Sequence, residues 1–352
     1  MNISGFGING FGRIGRTSFR VWWQHYKDIA NLKLINTSGS MEIEDWIHLL
    51  KYDSNYGIFN QDIKVERQQN KDEASDENPV LGSIKIAEHS IVVTAQRNPA
   101  KIPWSQYEVE TVVESTGVFN TEEKAQAHLD AGAKKVILSA PPKGGNVVST
   151  VIGVTNIQSP VSNIYSNESC TTNCVAPVAK IIHEKFGVKK ALLTTIHAYT
   201  DDQNIQDNSH RKDMRRARAA TQNIIPTTTG AAKATTRAIP ELKGLFDGLA
   251  VRVPTSIGSL SDITFVTEKK TSIEEINQVF ETASKEKNWQ RILAVTHDPI
   301  VSSDIVGRRE SSIIDLSLTN VIDGDLVKIV SWYDNEWGYC NRLIEQVGSL
   351  SL

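Results

Sequence analysis

Apolar positions first gather over residues 3–8. A glycine-rich turn, Gly10-Phe11-Gly12-Arg13-Ile14-Gly15, follows, and Phe19, Val21, Trp22 and Trp23 then recur along a segment from Arg16 to Tyr26. That order predicts a strand, a turn and a helix, although Gly5 and Gly7 lower the β propensity of the strand. Apolar runs at Leu32–Ile35, Ile84–Ile86, Ile91–Ala95, Thr111–Glu114 and Lys135–Ser139 read as further strands, with a helix over Glu122–Ala131. Strands alternating with helices predict a doubly wound α/β sheet. Within this half, Glu66–Asn78 is polar and charged with almost no apolar position, and reads as an exposed excursion rather than a working site.

Beyond residue 170 the pattern changes. Long alternating runs at Ala191–Ala198, Leu249–Val253, Ser261–Glu268, Ser312–Asp315 and Leu326–Tyr333, with a helix over Ser272–Lys287, predict a mostly antiparallel sheet with helices on one face, an α+β domain. Glu336–Leu350 reads as a last helix packing back on the first domain. The expected division is therefore residues 1–169, completed by 336–352, and residues 170–335, which include a polar loop over 199–223. No internal repeat is present.

Composition narrows the classes. A chain of 352 residues with 39% hydrophobic and 22% charged residues and a net charge of −3 has no global bias toward nucleic acid or membrane. Three cysteines, two of them four residues apart, do not make a disulfide framework and suit a reducing compartment. No CxxC or His/Cys cluster points to a metal. The N-terminus shows no basic-then-apolar leader, and no run of about 18 apolar residues occurs, so a cytoplasmic location is expected.

Two places carry chemistry. The GxGxxG turn, set between strand and helix, is the dinucleotide fingerprint of a Rossmann domain: the glycines allow close approach of a pyrophosphate and the helix N-terminus offers amides. At the end of the second strand, where an acidic residue ordinarily takes the ribose 2′-hydroxyl, stand Asn36-Thr37-Ser38-Gly39-Ser40. Their hydroxyls could donate to a 2′-phosphate, unless Glu42 or Glu44 takes the acidic role from a shifted loop. The second place is Ser169-Cys170-Thr171-Thr172-Asn173-Cys174, a polar run opening a helix. There Cys170 reads as a nucleophile activated at a helix start, or else as an inert buried thiol.

Taken with Ile8-Asn9-Gly10-Phe11-Gly12-Arg13-Ile14-Gly15-Arg16, His48–Ser54, Glu114-Ser115-Thr116-Gly117-Val118-Phe119, Thr194–Thr200, Arg215–Ala220, Pro226–Ala232, Arg252-Val253-Pro254-Thr255 and Trp332–Tyr339, the cysteine run makes the chain resemble phosphorylating glyceraldehyde-3-phosphate dehydrogenases over its whole length. The resemblance implies that Cys170 attacks an aldehyde and that His197 takes its proton and pairs with the thiolate as an imidazolium. It implies an oxyanion held by the Cys170 N–H and His197. Residues matching Thr200, Asp202 and Arg252 would hold the phosphate of D-glyceraldehyde 3-phosphate. Ser169, Thr171, Arg216, Thr229 and Gly230 would hold the attacking inorganic phosphate. Cofactor positions carried over are Gly10, Phe11, Gly12, Arg13, Ile14, Asn36, Thr37, Ser38, Arg97, Thr116, Gly117, Phe119, Ser139, Ser209, Asn335 and Tyr339. Cys174 is the nucleophile's companion in the family, with a packing role expected.

NAD-using members mostly carry a Leu-Pro pair where this chain has Asn208-Ser209, whereas Ser209-His210-Arg211 resembles the NADP-using biosynthetic branch. With Thr37, this predicts NADP preferred over NAD. A homotetramer is the family expectation. Ala198, Cys340 and the 66–78 excursion depart from the family pattern without touching a catalytic position. Erythrose-4-phosphate dehydrogenase is the nearest alternative, an aspartate-semialdehyde type enzyme a more distant one, and an RNA-binding or scaffold role the alternative from another class. The charged run His210–Arg218 carries no interleaved aromatic platform, which favours a solvated face over nucleic acid.

Overall fold

The computed structural model describes residues 5–156 and 162–350. Contacts divide it into two units: Met1–Thr150 with Ile157–Glu168 and Cys340–Leu352, and Val151–Asn156 with Ser169–Tyr339. The second unit thus takes Val151–Asn156, expected in the first, and the chain passes between units one residue before Cys170. Ile3 and Ser4, placed in the first strand by the sequence, lie outside the described residues.

The first unit contains β1 (Gly5–Asn9), α1 (Arg13–His25), β2 (Asn31–Thr37), α2 (Ile43–Lys51) and a small hairpin, β3 (Tyr52–Asp53) with β4 (Gly57–Ile58). There follow β5 (Ile63–Arg67), β6 (Val80–Ile86), β7 (His89–Ala95), β8 (Thr111–Glu114), α3 (Glu122–Asp130), β9 (Lys135–Leu138), β10 (Val148–Ser149) and β11 (Ile164–Ser166). The sheet order is β10-β11-β9-β8-β1-β2-β7-β6-β5. It is parallel from β10 to β7, and antiparallel from β7 through β6 to β5. This is a Rossmann dinucleotide-binding domain with an antiparallel edge. The inner strands read as continuous apolar runs because helices cover both faces.

On α1, Phe19 and Trp22 meet edge-on with ring centroids 5.5 Å apart, and the Trp22 indole N–H donates to Ala30 O at 2.6 Å. α2, β3, β4, β10 and β11 were not expected, nor was the edge strand β5, whose burial alternates only weakly and whose second half opens the excursion. The excursion is otherwise exposed. It is fastened by Arg67 to the Glu44 carboxylate at 2.6 Å, by the Lys71 N–H to that of Glu42, and by the Gln96 amide to Asp76 O at 3.4 Å.

The second unit holds α4 (Cys170–Phe186), β12 (Val188–Ala198), β13 (Ile225–Thr228), α5 (Ala231–Ala238), β14 (Phe246–Val253), β15 (Ser259–Thr267) and α6 (Ile273–Ala283). After them come β16 (Leu293–Thr296), β17 (Ser312–Asp315), β18 (Asn320–Ile322), β19 (Leu326–Tyr333) and α7 (Trp337–Leu350), whose residues from Cys340 onward belong to the first unit. The sheet order is β13-β14-β12-β15-β19-β17-β16, with β18 on β19. Only β12/β14 and β16/β17 pair in parallel, so the domain is α+β with a mostly antiparallel sheet. β13, β16, β18 and α5 are additions to the expected set. They are short, and α5, a run mostly of alanines and threonines, has no large apolar residue to mark its inward face.

Burial alternates along β15, with Ser261, Ile263 and Phe265 inward and Asp262, Thr264 and Val266 less buried. Phe280 of α6 and Ile263 sit in one core with the apolar residues of α4. Ile263→Ala is expected to lower unfolding free energy by about 2–5 kcal/mol, through lost burial and the cavity left behind, read from the urea midpoint at unchanged slope.

Candidate active site

The chain enters α4 through Glu168, a buried residue in the left-handed region (φ 54°). Ser169 is the helix N-cap, its hydroxyl accepting the Thr172 N–H at 3.0 Å. Cys170 is therefore the first helical residue, partly exposed, with the positive end of the helix dipole beneath its sulfur. β12 brings His197 to it: the imidazole Nε2 lies 3.4 Å from Cys170 Sγ. β14 pairs in register with β12 so that His197 faces Arg252, whose Nη1 is 2.6 Å from His197 Nδ1 and donates to Ala198 O at 3.0 Å.

Nδ1 has two partners at 2.6 Å, Ala198 O, which only accepts, and Arg252 Nη1, which only donates; with the proton on Nδ1 and given to Ala198 O, the Nε2 lone pair faces the thiol. Burial, and next the Arg252 charge, lower the His197 pKa to about 3. Burial raises the Cys170 thiol above its ordinary value, with Arg252 the largest opposing influence. Burial and the guanidinium both disfavour charge on His197, and the fixed cation beside it is Arg252.

Cys174, one turn on, donates to Ser331 Oγ at 3.3 Å, and burial pushes its thiol up to about 11. It is fully buried in the second unit. The sequence reading missed Tyr333. Its hydroxyl is 2.9 Å from both Thr171 Oγ1 and Thr195 Oγ1, and its ring meets that of His197 edge-on at 5.9 Å. Tyr333 is the second residue of the Trp332–Tyr339 motif, but a strand residue gives no sign of what its tip will touch. Thr171 is buried, with its hydroxyl committed to Tyr333.

Around this centre lie the groups expected to hold anions. Arg216 pairs with Asp202, donates to Thr227 Oγ1 at 2.9 Å and to Thr228 O at 3.2 Å, and lies 3.6 Å from Asp213. Asp202, expected with Thr200 and Arg252 at the substrate phosphate, pairs with Arg216, lies 3.5 Å from His210, and is near enough to raise the Arg252 pKa by its charge. Thr229 accepts the Ala231 N–H at 3.1 Å and Gly230 is the N-cap of α5. The Thr200 N–H is taken by Gln203 at 3.3 Å. Ser209 is exposed, its N–H on the neighbouring Asn208 side chain. Asn335 Oδ1 accepts from Gly258 N and from Ser259 Oγ, and Ser259 Oγ in turn accepts the Ala198 N–H, which steadies the strand end that carries His197. Tyr339 is buried in the same unit.

In the first unit a cavity of about 500 Å³ opens at the C-terminal ends of the parallel strands. Gly10, Phe11, Gly12, Asn36, Thr37 and Ser38 line it, with Arg97, Thr116 and Phe119. So do Asn9, Trp46, Gln96, Ile102, Ser115 and Val118, which the sequence had not assigned to the cofactor. Gly10 has φ 91°, and a Cβ there would meet Thr116 at 2.8 Å; one on Gly15 would lie 2.1 Å from Gly10 O. The turn admits only these glycines, and the backbone is left bare for a ligand. Arg13, Ile14, Gly117 and Ser139 are not among the lining residues. Arg13 is turned to Asp53 at 2.5 Å, and the Ser139 N–H to Glu114 O.

Two expectations about the ribose end change. The Thr37 hydroxyl is buried and donates to Thr94 O at 3.0 Å, so its proton is spent within the sheet. Neither Glu42 nor Glu44 lines the cavity: Glu42 caps α2 in a reciprocal box with Asp45, and Glu44 is paired with Arg67. The donors at this end are Ser38, hydrogen-bonded to Ser40 at 2.9 Å, and Arg97, whose Nε donates to Ser38 O at 3.3 Å. Among the described residues no His/Cys/Asp/Glu group could hold a metal ion, and no helix is long and apolar enough to cross a membrane.

Comparison with known proteins agrees with this geometry. Residues 5–122 match the model of the glyceraldehyde 3-phosphate dehydrogenase NAD binding domain, and residues 169–335 that of its C-terminal domain. The chain is 43% identical over 348 residues to "Glyceraldehyde-3-phosphate dehydrogenase 2" of Staphylococcus aureus (strain Mu50 / ATCC 700699), covering 97% of this chain and 95% of the relative. It is 48% identical over 343 residues to "Glyceraldehyde-3-phosphate dehydrogenase" of Mycobacterium bovis (strain BCG / Pasteur 1173P2), covering 97% and 96%.

Arg252 lowers the Cys170 pKa, so its removal raises it and less thiolate is present at any given pH. Arg252→Gln is expected to move the pH profile of Cys170 alkylation by iodoacetamide, without cofactor, to higher pH. An unmoved or lowered midpoint would show that Arg252 is not the cation supporting the thiolate.

Proposed function

The chain belongs to the glyceraldehyde 3-phosphate dehydrogenase family, and from that premise we propose that it oxidises D-glyceraldehyde 3-phosphate reversibly to 1,3-bisphosphoglycerate through a thioester on Cys170, with NADP preferred over NAD. It is an NAD(P)-dependent phosphorylating aldehyde dehydrogenase by the whole-length likeness to that family.

The observation that carries the mechanism is the 3.4 Å approach of Cys170 Sγ to His197 Nε2 at the start of α4. Attack of sulfur on the aldehyde carbon passes the thiol proton to Nε2, in the tautomer that carries its proton on Nδ1. The oxyanion of the resulting thiohemiacetal is held by the Cys170 N–H, one of the unpaired amides of the first turn, with His197 as second donor once it carries that proton. The residues lining the first unit's cavity, among them Gly10, Phe11, Gly12 and Thr116, would hold a dinucleotide, and that group would supply the hydride acceptor that turns the thiohemiacetal into a thioester. Inorganic phosphate then attacks the thioester carbonyl and the Cys170 sulfur leaves, giving the acyl phosphate. Arg252 with Thr200 suits the substrate's own phosphate. Arg216, Ser169, Thr171, Thr229 and Gly230 suit the attacking one, the first as a guanidinium and the others through helix-start amides and hydroxyls.

The cavity in the first unit fits a dinucleotide: it has the bare glycine turn and apolar walls of Phe11, Ile102, Val118 and Phe119. Preference for NADP is supported by the ribose end. No carboxylate lines it, and Arg97 and Ser38 do. A homotetramer is supported by exposed apolar side chains of the second unit, Ile205, Met214, Ile224 and Leu192, each at least 66% exposed in the single chain. A reducing cytoplasm suits three free cysteines.

Steady-state rates with glyceraldehyde 3-phosphate, with and without inorganic phosphate, test the reading. Higher kcat/KM with NADP than with NAD, dependence on phosphate, and loss of turnover in Cys170→Ser are expected. Preference for NAD would remove the cofactor assignment, and phosphate-independent turnover the phosphorylating step.

A further inference from the structure

Four neighbouring parallel strands, β8, β1, β2 and β7, end at the cofactor cavity, and each ends on or beside a polar residue that is almost wholly buried. Glu114 and Asn36 are 3% exposed, Asn9 2%, Thr94 0% and Gln96 3%. Polar groups so placed are costly unless every one is hydrogen-bonded, and they bond to one another across the strands. The Asn36 amide donates to Asn9 Oδ1 at 2.7 Å and to Gln96 O at 2.8 Å, while its Oδ1 accepts from Thr94 Oγ1 at 2.7 Å and Gln96 N at 3.0 Å. The Asn9 amide donates to Glu114 Oε2 at 2.5 Å. Glu114 Oε1 accepts both the N–H of Thr116, at 2.7 Å, and its hydroxyl.

From α3, fully buried His128 joins the same carboxylate, with Nε2 3.0 Å from Oε2. The indole N–H of Trp104, which can only donate, lies 3.2 Å from His128 Nδ1. Nδ1 therefore accepts, and Nε2 carries the proton given to Glu114. Every neighbour of the carboxylate is a donor, and this fixes the sense of the whole chain. Asn9 must turn its amide to Glu114 and its oxygen to Asn36. Thr116 must turn its hydroxyl proton inward. Asn9, Asn36, Gln96 and Thr116 are all cavity-lining residues.

We infer that Glu114 and His128 are positioning residues for the dinucleotide, acting through Asn9 and Thr116 to hold the floor and one wall of its pocket. This rests on the reading of that cavity as the cofactor site. Glutamine at 114 keeps the shape but sets an amide N–H against donors at one oxygen position or the other. Leucine at 128 leaves the Trp104 N–H orphaned and takes a donor from Glu114. Glutamine at 128 can still accept from Trp104 and donate to Glu114.

The test is cofactor titration by protein fluorescence and steady-state kinetics on Glu114→Gln, His128→Leu and His128→Gln. Folding is checked by near-ultraviolet dichroism, and Cys170 is alkylated without cofactor as a control in the other unit. Glu114→Gln and His128→Leu are expected to raise Kd and KM for NAD and NADP alike by roughly tenfold, the cost of one buried unpaired donor. Alkylation should be unchanged and kcat altered by less than about twofold, and His128→Gln should recover most of the affinity. Folded variants that bind both dinucleotides like the wild type would overturn the inference. So would a fall in kcat with KM unmoved. Failure of the wild type to bind either dinucleotide would instead remove the reading of the cavity.

Discussion

The active site depends on one register. β12 and β14 run parallel with His197 opposite Arg252, and from that pairing follow the crowding of guanidinium and imidazole about Ala198 O, the lowered basicity of His197, and a cation beside Cys170. A slip of one residue in either strand would send these side chains to the opposite face of the sheet. The surrounding structure holds the register from several sides. β13 pairs Ile225 with Arg252, β15 pairs along β12 as far as Ile196, and Ser259 takes the Ala198 N–H. α4 supplies the remaining coordinate: its N-cap, Ser169, puts the thiol on the first turn.

This arrangement separates two tasks often assigned to one residue. A thiol next to an imidazole is commonly pictured as a thiolate–imidazolium pair. Here burial works against charge on both groups, and the permanently charged neighbour is Arg252. In the proposed mechanism His197 moves a proton, while charge compensation comes from the guanidinium and the helix start. Tyr333 braces both, with its hydroxyl on Thr171 and Thr195 and its ring edge on His197. The first unit uses polar side chains in a comparable way: a buried carboxylate, accepting only, sets the direction of a row of hydrogen bonds beneath the glycine turn.

Much of this was legible in the sequence because it is local. The glycine turn, the helix beginning at Cys170 and the histidine closing a strand each follow from spacing and periodicity over about ten residues. Neither unit's architecture needed more than the contrast between continuous and alternating apolar runs. What stayed hidden is non-local. The bonding of His128 to Glu114 spans two elements, and periodicity reports only that such residues are buried, never which partner they meet. Thr37 shows the same limit in reverse: a hydroxyl at the right place in the motif reads as a ligand donor, yet the strand beside it had already taken its proton. β5 was lost because a half-exposed edge strand has the composition of a loop.

The most direct test of the account is intact mass spectrometry after mixing the enzyme with glyceraldehyde 3-phosphate and oxidised NADP in phosphate-free buffer. An acyl adduct on Cys170, absent from Cys170→Ser and discharged within one turnover when inorganic phosphate is added, is the predicted result. An active enzyme that shows no adduct, carries it on another residue, or holds it unchanged in the presence of phosphate would contradict the mechanism built on Cys170, His197 and Arg252.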